Sequence, residues 1–432
     1  HGRGGRSQPG LVDAGNSNPR RTSYGATHMK MDTPKPDRCI ACTTCTVVCP
    51  VAQATPEFLG PRMIGPAHER FRLLGLGEDK SLHYCSNCKN CDISCPYDVP
   101  ISTFIMRARA EESKARRFPL RDWLLAHAEL LDRWMRVIPA GLKNMGISLP
   151  PVRMLLGALG VSGRMPLPAF ARKTFRRQFA ALPQPQGLPR KVVFFPGCFV
   201  DLYDPECGKD LVRVLNRAGY EVLLPPFVCC GLPQVANGFW EDARGNVRTN
   251  LQELQKWKSA GIPVLTGCTS CSLMFKDDYR QYFPELLPES ASPALADACE
   301  FLLECMDRGE LVLPEPGAAG RALSVVYHAP CHLRAQGMGL PGLELLRRIP
   351  GVSVSNANAG CCGISGSYGF KKEKYEISMR VGSRLFEAMR RSGADISASE
   401  CGTCRVQMRH GGGLEAVHPI SLLLRYFEEN GG

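Results

Sequence analysis

The run Cys39-Ile40-Ala41-Cys42-Thr43-Thr44-Cys45-Thr46-Val47-Val48-Cys49-Pro50 returns as Cys85-Ser86-Asn87-Cys88-Lys89-Asn90-Cys91-Asp92-Ile93-Ser94-Cys95-Pro96. Two copies of one C-x2-C-x2-C-x3-C-P register rule out coincidence. In that register three thiolates from consecutive turns face one [4Fe-4S] cube, while a helix carries the fourth cysteine to the other cube. The spacing assigns Cys39, Cys42, Cys45 and Cys95 to one cluster, and Cys85, Cys88, Cys91 and Cys49 to the other. Structural zinc also uses paired C-x2-C steps, but a tetrahedral site needs only four thiolates and has no use for the longer register. Pro50 and Pro96 turn the chain after each run, since proline cannot continue an interior helical ladder.

Around these motifs lies a chain of 432 residues, 44% hydrophobic, with a formal net charge of +12 and 21 cysteines. That length and apolar content suffice for two or three domains with real cores and exclude a disordered chain or a small disulfide-stapled scaffold. An odd cysteine total argues against complete intramolecular pairing. Arg20-Arg21 is followed by polar residues and not by an apolar run, so the expectation is a reducing cytoplasm, where thiolates remain free for metal. There is no run of eighteen apolar residues, so any membrane contact is expected to be peripheral.

From Lys191 onward the pattern alternates strand and helix. Val192 to Phe195 reads as a strand, Asp210 to Ala218 as a helix, and Tyr220 to Leu224 as a second strand. Ser324 to Tyr327, Gly342 to Ile349, and Val352 to Val354 repeat this layout, which marks an internal duplication. Each half carries five cysteines in loops after strands. The first set is Cys198, Cys229, Cys230, Cys268 and Cys271, and the second is Cys331, Cys361, Cys362, Cys401 and Cys404. A glycine follows each adjacent pair, Gly231 and Gly363, and permits the close backbone turn such a pair needs. The remaining Cys207, Cys299 and Cys305 read as buried apolar residues.

The expected fold class is α/β plus α. A disordered tail covers 1–36, a mostly helical dicluster ferredoxin-like domain 37–115 and a basic amphipathic helical connector 116–188. A duplicated α/β domain follows at 189–310 and 320–430. Met29 or Met31 is a plausible native start. Residues 116–177 hold twelve Lys and Arg against three Asp and Glu. Leu120, Trp123, Leu124, Leu131, Trp134, Met135 and Ile138 recur there at helical steps, placing two tryptophans on one face.

Gly60-Pro61-Arg62-Met63-Ile64-Gly65-Pro66, Cys198-Phe199-Val200, Gly208-Lys209-Asp210-Leu211, Cys229-Cys230-Gly231 with Ala236-Asn237-Gly238, and Gly366-Ser367-Tyr368-Gly369-Phe370-Lys371-Lys372 closely resemble the iron-sulfur C subunits of anaerobic glycerol-3-phosphate dehydrogenases. The resemblance runs from about Arg38 to about Phe427. More widely, the chain is similar to the cysteine-rich (CCG) proteins, which include glycolate oxidase iron-sulfur subunits and heterodisulfide reductase subunits. It implies that each five-cysteine set can hold an iron-sulfur cluster, including a noncubane [4Fe-4S] form, or in some members zinc. It also implies an electron-transfer subunit serving flavoprotein subunits of A and B type that oxidise sn-glycerol 3-phosphate, with the quinone pool as acceptor. Docking would be peripheral, at the cytoplasmic face of the inner membrane.

The basic segment admits three readings: a solvated connector, a nucleic-acid surface, or an amphipathic face on an anionic membrane. The resemblance favours the membrane, and no nucleic acid is expected. Gly363 to Gly369 lacks the register of a nucleotide-binding loop, so flavin is expected on a partner and not here. No catalytic residue is assigned. His328, His332 and His418 lie near the cysteines, and a hydrogen-bonded structural role is the plainer reading, because the thiols already suffice. Rival readings are the same relay in a glycolate or lactate oxidase, and a CCG enzyme that reduces a disulfide.

Overall fold

The computed structural model describes residues 36–76, 81–115, 120–287, 293–316 and 322–431, all within the compact unit Pro34–Gly432. Except for Pro36, the expected tail lies outside the described residues.

Val192, Val193, Phe194 and Phe195 are all buried, as a strand covered on both faces requires, and such continuous apolar runs belong to parallel sheets. The first sheet comprises β1 (Arg190–Phe195), β2 (Tyr220–Leu223), β3 (Val264–Thr266) and β4 (Ala296–Asp297), in the order β2-β1-β3-β4. The second comprises β5 (Leu323–Tyr327), β6 (Val352–Asn356), β7 (Ile396–Ala398) and β8 (Ala416–Val417), in the order β6-β5-β7-β8. Every pairing is parallel. The identical order establishes the duplication in three dimensions.

The helix Pro205–Arg217 returns the chain from β1 to β2. Asp204 caps it by accepting the Cys207 N–H, and Pro205 occupies its first turn, where a missing N–H is harmless. Its Leu211, Val212, Val214 and Leu215 join a core that continues into the second repeat through Val325, Tyr327, Leu345 and Phe427. The two α/β repeats therefore share one apolar interior. In the helical N-terminal part, Ile101–Ala115 buries Ile101, Phe104, Ile105 and Met106 against the first repeat's Phe275 and Tyr279 in another continuous core.

Between these parts the expected long helix is broken. Leu120–Ala126 and Ala128–Trp134 are separate helices with a non-helical His127 between them. His127 is buried, stacks on Trp123, and bonds both the Trp123 carbonyl and the Asp242 carboxylate. Trp123 and Trp134 still meet, with ring centroids 5.3 Å apart.

Candidate metal centres

The two N-terminal cysteine runs share a backbone device that residue types did not reveal. Ala41 and Thr43 in the first, and Asn87 and Lys89 in the second, adopt left-handed conformations with φ of 60°, 65°, 53° and 63°. Non-glycine residues rarely go there. Two such residues per loop coil the chain tightly enough to turn three thiols inward. Cys39, Cys42, Cys45 and Cys95 then line one small cavity, and Cys49, Cys85, Cys88 and Cys91 line another. The crossed grouping read from the spacing is the grouping of the cavities. Burial pushes the Cys45 thiol up, and its neighbours Cys39, Cys42 and Cys95 add to the effect. Cys49 is pushed up to about 12, chiefly by burial, with Cys85 and Cys361 also raising it. Cys49, Cys85, Cys88 and Cys91 are all buried, whereas in the other set Cys42 is exposed; such clustered thiols suit a cationic centre, because coordination makes the thiolate the stable form.

In each α/β repeat the five cysteines collect beyond the carboxyl ends of the strands, where open α/β sheets bind ligands. Cys198 follows β1, Cys229 and Cys230 follow β2, and Cys268 precedes the short helix Thr269–Leu273 after β3. The thiols shift one another's proton affinity in one sequence: Cys198 with Cys229, Cys229 with Cys230, Cys230 with Cys271, and Cys271 with Cys268. The second repeat reproduces it as Cys331, Cys361, Cys362, Cys404 and Cys401. Cys362 and Cys404 sulfurs lie 3.2 Å apart. Contacts with neighbouring thiols hold Cys230 and Cys361 below the usual thiol range. A donor set of five clustered sulfurs fits an iron-sulfur group in either repeat.

Gly363, with φ of 93°, shows why a glycine follows the pair: a Cβ there would run into the Ser378 carbonyl. By contrast Cys207, Cys299 and Cys305 are buried outside the five-cysteine sets and both cavities. Burial raises all three thiols, which suits inert side chains.

The four sets are stacked against one another, and not in chain order. Cys88 of the dicluster feels Cys361 of the second repeat, and Cys331 feels Cys88. Cys268 of the first repeat feels Cys401 of the second. The thiols of the second repeat thus neighbour both those of the dicluster and those of the first repeat. One side chain ties all three together: His332 bonds Ser270 Oγ and the Asn87 carbonyl, both at 2.9 Å. A buried ion pair adds a second tie, Lys89 Nζ to the Asp278 carboxylate at 2.7 Å.

A family described as the 4Fe-4S dicluster domain matches residues 35–99, and a second, described as the cysteine-rich domain, matches 192–276 and 325–409. The chain is 40% identical over 396 residues to the C subunit of anaerobic glycerol-3-phosphate dehydrogenase from Escherichia coli K12, covering 90% of this chain and 97% of that protein. The chain belongs to the family of these C subunits. More distant is the B subunit of the fumarate reductase (CoM/CoB) of Methanothermobacter marburgensis, 28% identical over 88% of this chain and 68% of that protein. D-2-hydroxyglutarate dehydrogenase of E. coli K12 is 25% identical over 79% of this chain but only 34% of its own length. The protein is therefore an iron-sulfur protein.

Two residues near the sulfurs escaped the sequence reading. Glu129, from the helix Ala128–Trp134, faces the thiols of the first repeat and raises those of Cys198 and Cys229; burial raises its own carboxyl. One acid among many basic residues gave no sign of this placement. The three histidines differ in their partners. His332 and His418 are hydrogen-bonded, the latter to the Gly267 carbonyl and the Ile420 N–H. The His328 Nε2 is buried with no hydrogen-bond partner among the described residues.

Proposed function

We propose that this chain is the electron-transfer and docking subunit of a glycerol-3-phosphate dehydrogenase complex. It would link flavoprotein subunits that oxidise sn-glycerol 3-phosphate to dihydroxyacetone phosphate with the quinone pool. The observation that carries the reading is the unbroken succession of four thiol sets within one compact unit. Cys39, Cys42, Cys45 and Cys95 would hold one [4Fe-4S] cluster, and Cys49, Cys85, Cys88 and Cys91 the second. The two five-cysteine sets would hold further iron-sulfur groups. When bound, these groups supply one-electron carriers.

The chain's own residues hold the sets in fixed succession. His332 and the Lys89–Asp278 pair lock the dicluster onto both repeats. The spatial order runs from the set of Cys39 to that of Cys85, then to the second repeat and finally to the first. In this reading the dicluster domain would span 37–115, the connector 116–188 and the two cysteine-rich domains 189–310 and 320–430.

Docking to the membrane falls to the connector. Among the described residues no helix is long and apolar enough to cross a bilayer. Trp134, Val137, Met154 and Leu155 are nevertheless exposed, from 61% to 89%, and Arg133, Arg172, Lys173 and Arg177 of the same connector are exposed as well. Lys143 bonds Asp132 at 2.8 Å and so joins the helices Ala128–Trp134 and Ala140–Ser148 into one surface. Apolar tips with basic flanks suit an anionic lipid surface at the cytoplasmic face.

The complex copurified anaerobically should reduce a quinone analogue with glycerol 3-phosphate and not with glycolate. Glycolate-driven reduction, or disulfide turnover by the isolated chain, would overturn the assignment. Iron analysis should exceed the roughly eight atoms of two cubes. The purified chain should float with anionic liposomes at low salt, and a Trp134→Ser/Val137→Ser variant should not.

A further inference from the structure

The two repeats carry matching cysteines but differ three residues before the first of them. Phe195 precedes Cys198, whereas His328 precedes Cys331. Both positions lie at the carboxyl end of the central strand of their sheet, and both side chains are buried, at 0% and 2% exposure. Phe195 fills its place with apolar contacts, edge-on to Phe227 and Phe275. The fold therefore accepts an aromatic hydrocarbon at this site without a polar group.

In the second repeat the same position brings a nitrogen to the sulfurs. The His328 backbone N–H is held by the Ala398 carbonyl at 2.9 Å, which fixes the residue at the end of the strand. Its side chain groups with Cys362 and Cys404, with ligand atoms all within 4.8 Å of one another. The Nε2 atom has no hydrogen-bond partner among the described residues. Leaving a buried polar atom unsatisfied costs about 1–3 kcal/mol, and a phenylalanine in its place would avoid that cost. A ligand that draws on Nε2 removes the contradiction.

We propose that His328 is a metal ligand of the second cysteine-rich site, donating Nε2 beside Cys362 and Cys404. The second site is then a mixed nitrogen-sulfur centre, and the first, walled by Phe195, is a sulfur site. The inference rests on the reading that the second set holds metal. A neutral imidazole brings no negative charge, whereas a thiolate does, so nitrogen ligation raises a centre's reduction potential, as histidine does in Rieske centres. Two sets with like cysteines are thereby set at different potentials, and the higher one neighbours the thiols of both the dicluster and the first repeat.

An anaerobic crystal structure of the metal-loaded full chain, with anomalous data at the iron and zinc edges, tests this directly. The expected result is a metal about 2 Å from His328 Nε2. Metal on the second set with Nε2 beyond about 3 Å overturns the ligand assignment and leaves the underlying reading intact. An empty second set beside loaded others overturns both. In solution, His328→Phe installs the residue of the first repeat, so the fold has a precedent for it. It should lower one midpoint potential, or empty the second site alone, with the remaining centres unchanged. Potentials and metal content identical to those of the unsubstituted chain would refute the proposal.

Discussion

Replacing Asp278 with Asn should destabilise the assembled protein far more than loss of a surface ion pair. Lys89 lies between Cys88 and Cys91, and Asp278 follows the helix that carries Cys271, so the pair joins the dicluster to the first repeat. The two side chains are only 3% and 1% exposed, at 2.7 Å. Burial alone would lower the lysine's pKa, but the Asp278 carboxylate, with Tyr282 and Asp92, raises it further, so the ammonium persists. At an effective dielectric of about 20, the attraction across this distance is roughly 6 kcal/mol. Most of it offsets the desolvation of two charges, so the pair's net value is small. Its one-sided rupture is expensive, about 3–5 kcal/mol. After Asp278→Asn, the ammonium retains the Tyr282 hydroxyl at 3.2 Å and Asp92 at 3.9 Å, which places the expectation near the lower end. Lys89→Met/Asp278→Leu should recover to within about 1–2 kcal/mol of the parent. Urea unfolding of the anaerobic, cluster-loaded chain, followed by visible absorbance and circular dichroism, measures the cycle. A single substitution costing under about 1 kcal/mol would place the pair with exposed ones. A double variant equal to the sum of the singles would remove the coupling altogether.

Three further outcomes are expected. Cys95→Ser should perturb the same EPR signal as Cys39→Ser, and Cys49→Ser the same signal as Cys85→Ser; pairing by proximity in sequence would refute the crossed ligand sets. Gly363→Ala should unfold at lower urea than Gly231→Ala. Both positions have φ of 93°, but only at Gly363 would the new Cβ collide with backbone, whereas at Gly231 its nearest neighbour lies at 3.4 Å; equal midpoints would contradict this. His418 is held down to about 3, first by burial, from an ordinary value of 6.5. The unfolded chain therefore binds a proton below about 6.5 that the folded chain refuses until about 3, so this residue's contribution is complete above 6.5 and is lost as pH falls. The thermal midpoint of His418→Asn, which keeps a cap acceptor for Ile420, should decline less than the parent's between pH 7.5 and 5; parallel profiles would refute the linkage.

The metal chemistry was legible because it depends on local register. A C-x2-C-x2-C-x3-C-P run states how many thiols one turn of chain can present, and the trailing cysteine's separation states which one must go elsewhere. The duplication was legible for a similar reason: Val192 to Phe195 and Ser324 to Tyr327 are short apolar runs bounded by turns. His127 shows where periodicity misleads. The apolar spacing continues through it, yet its backbone is non-helical and its ring bonds Asp242, distant in sequence.

What the sequence by itself determined is the inventory: two four-cysteine runs, two five-cysteine sets, duplicated α/β repeats and a basic connector with apolar steps. Each follows from interactions among residues close in the chain. Only the tertiary structure decided that the second repeat's thiols neighbour both other groups, that Glu129 faces the first repeat's thiols, and that the His328 Nε2, unlike the ring nitrogens of His332 and His418, has no hydrogen-bond partner among the described residues. Those facts depend on which distant surfaces share a core, through contacts such as His332 with Asn87 and Lys89 with Asp278, and no spacing along the chain encodes them.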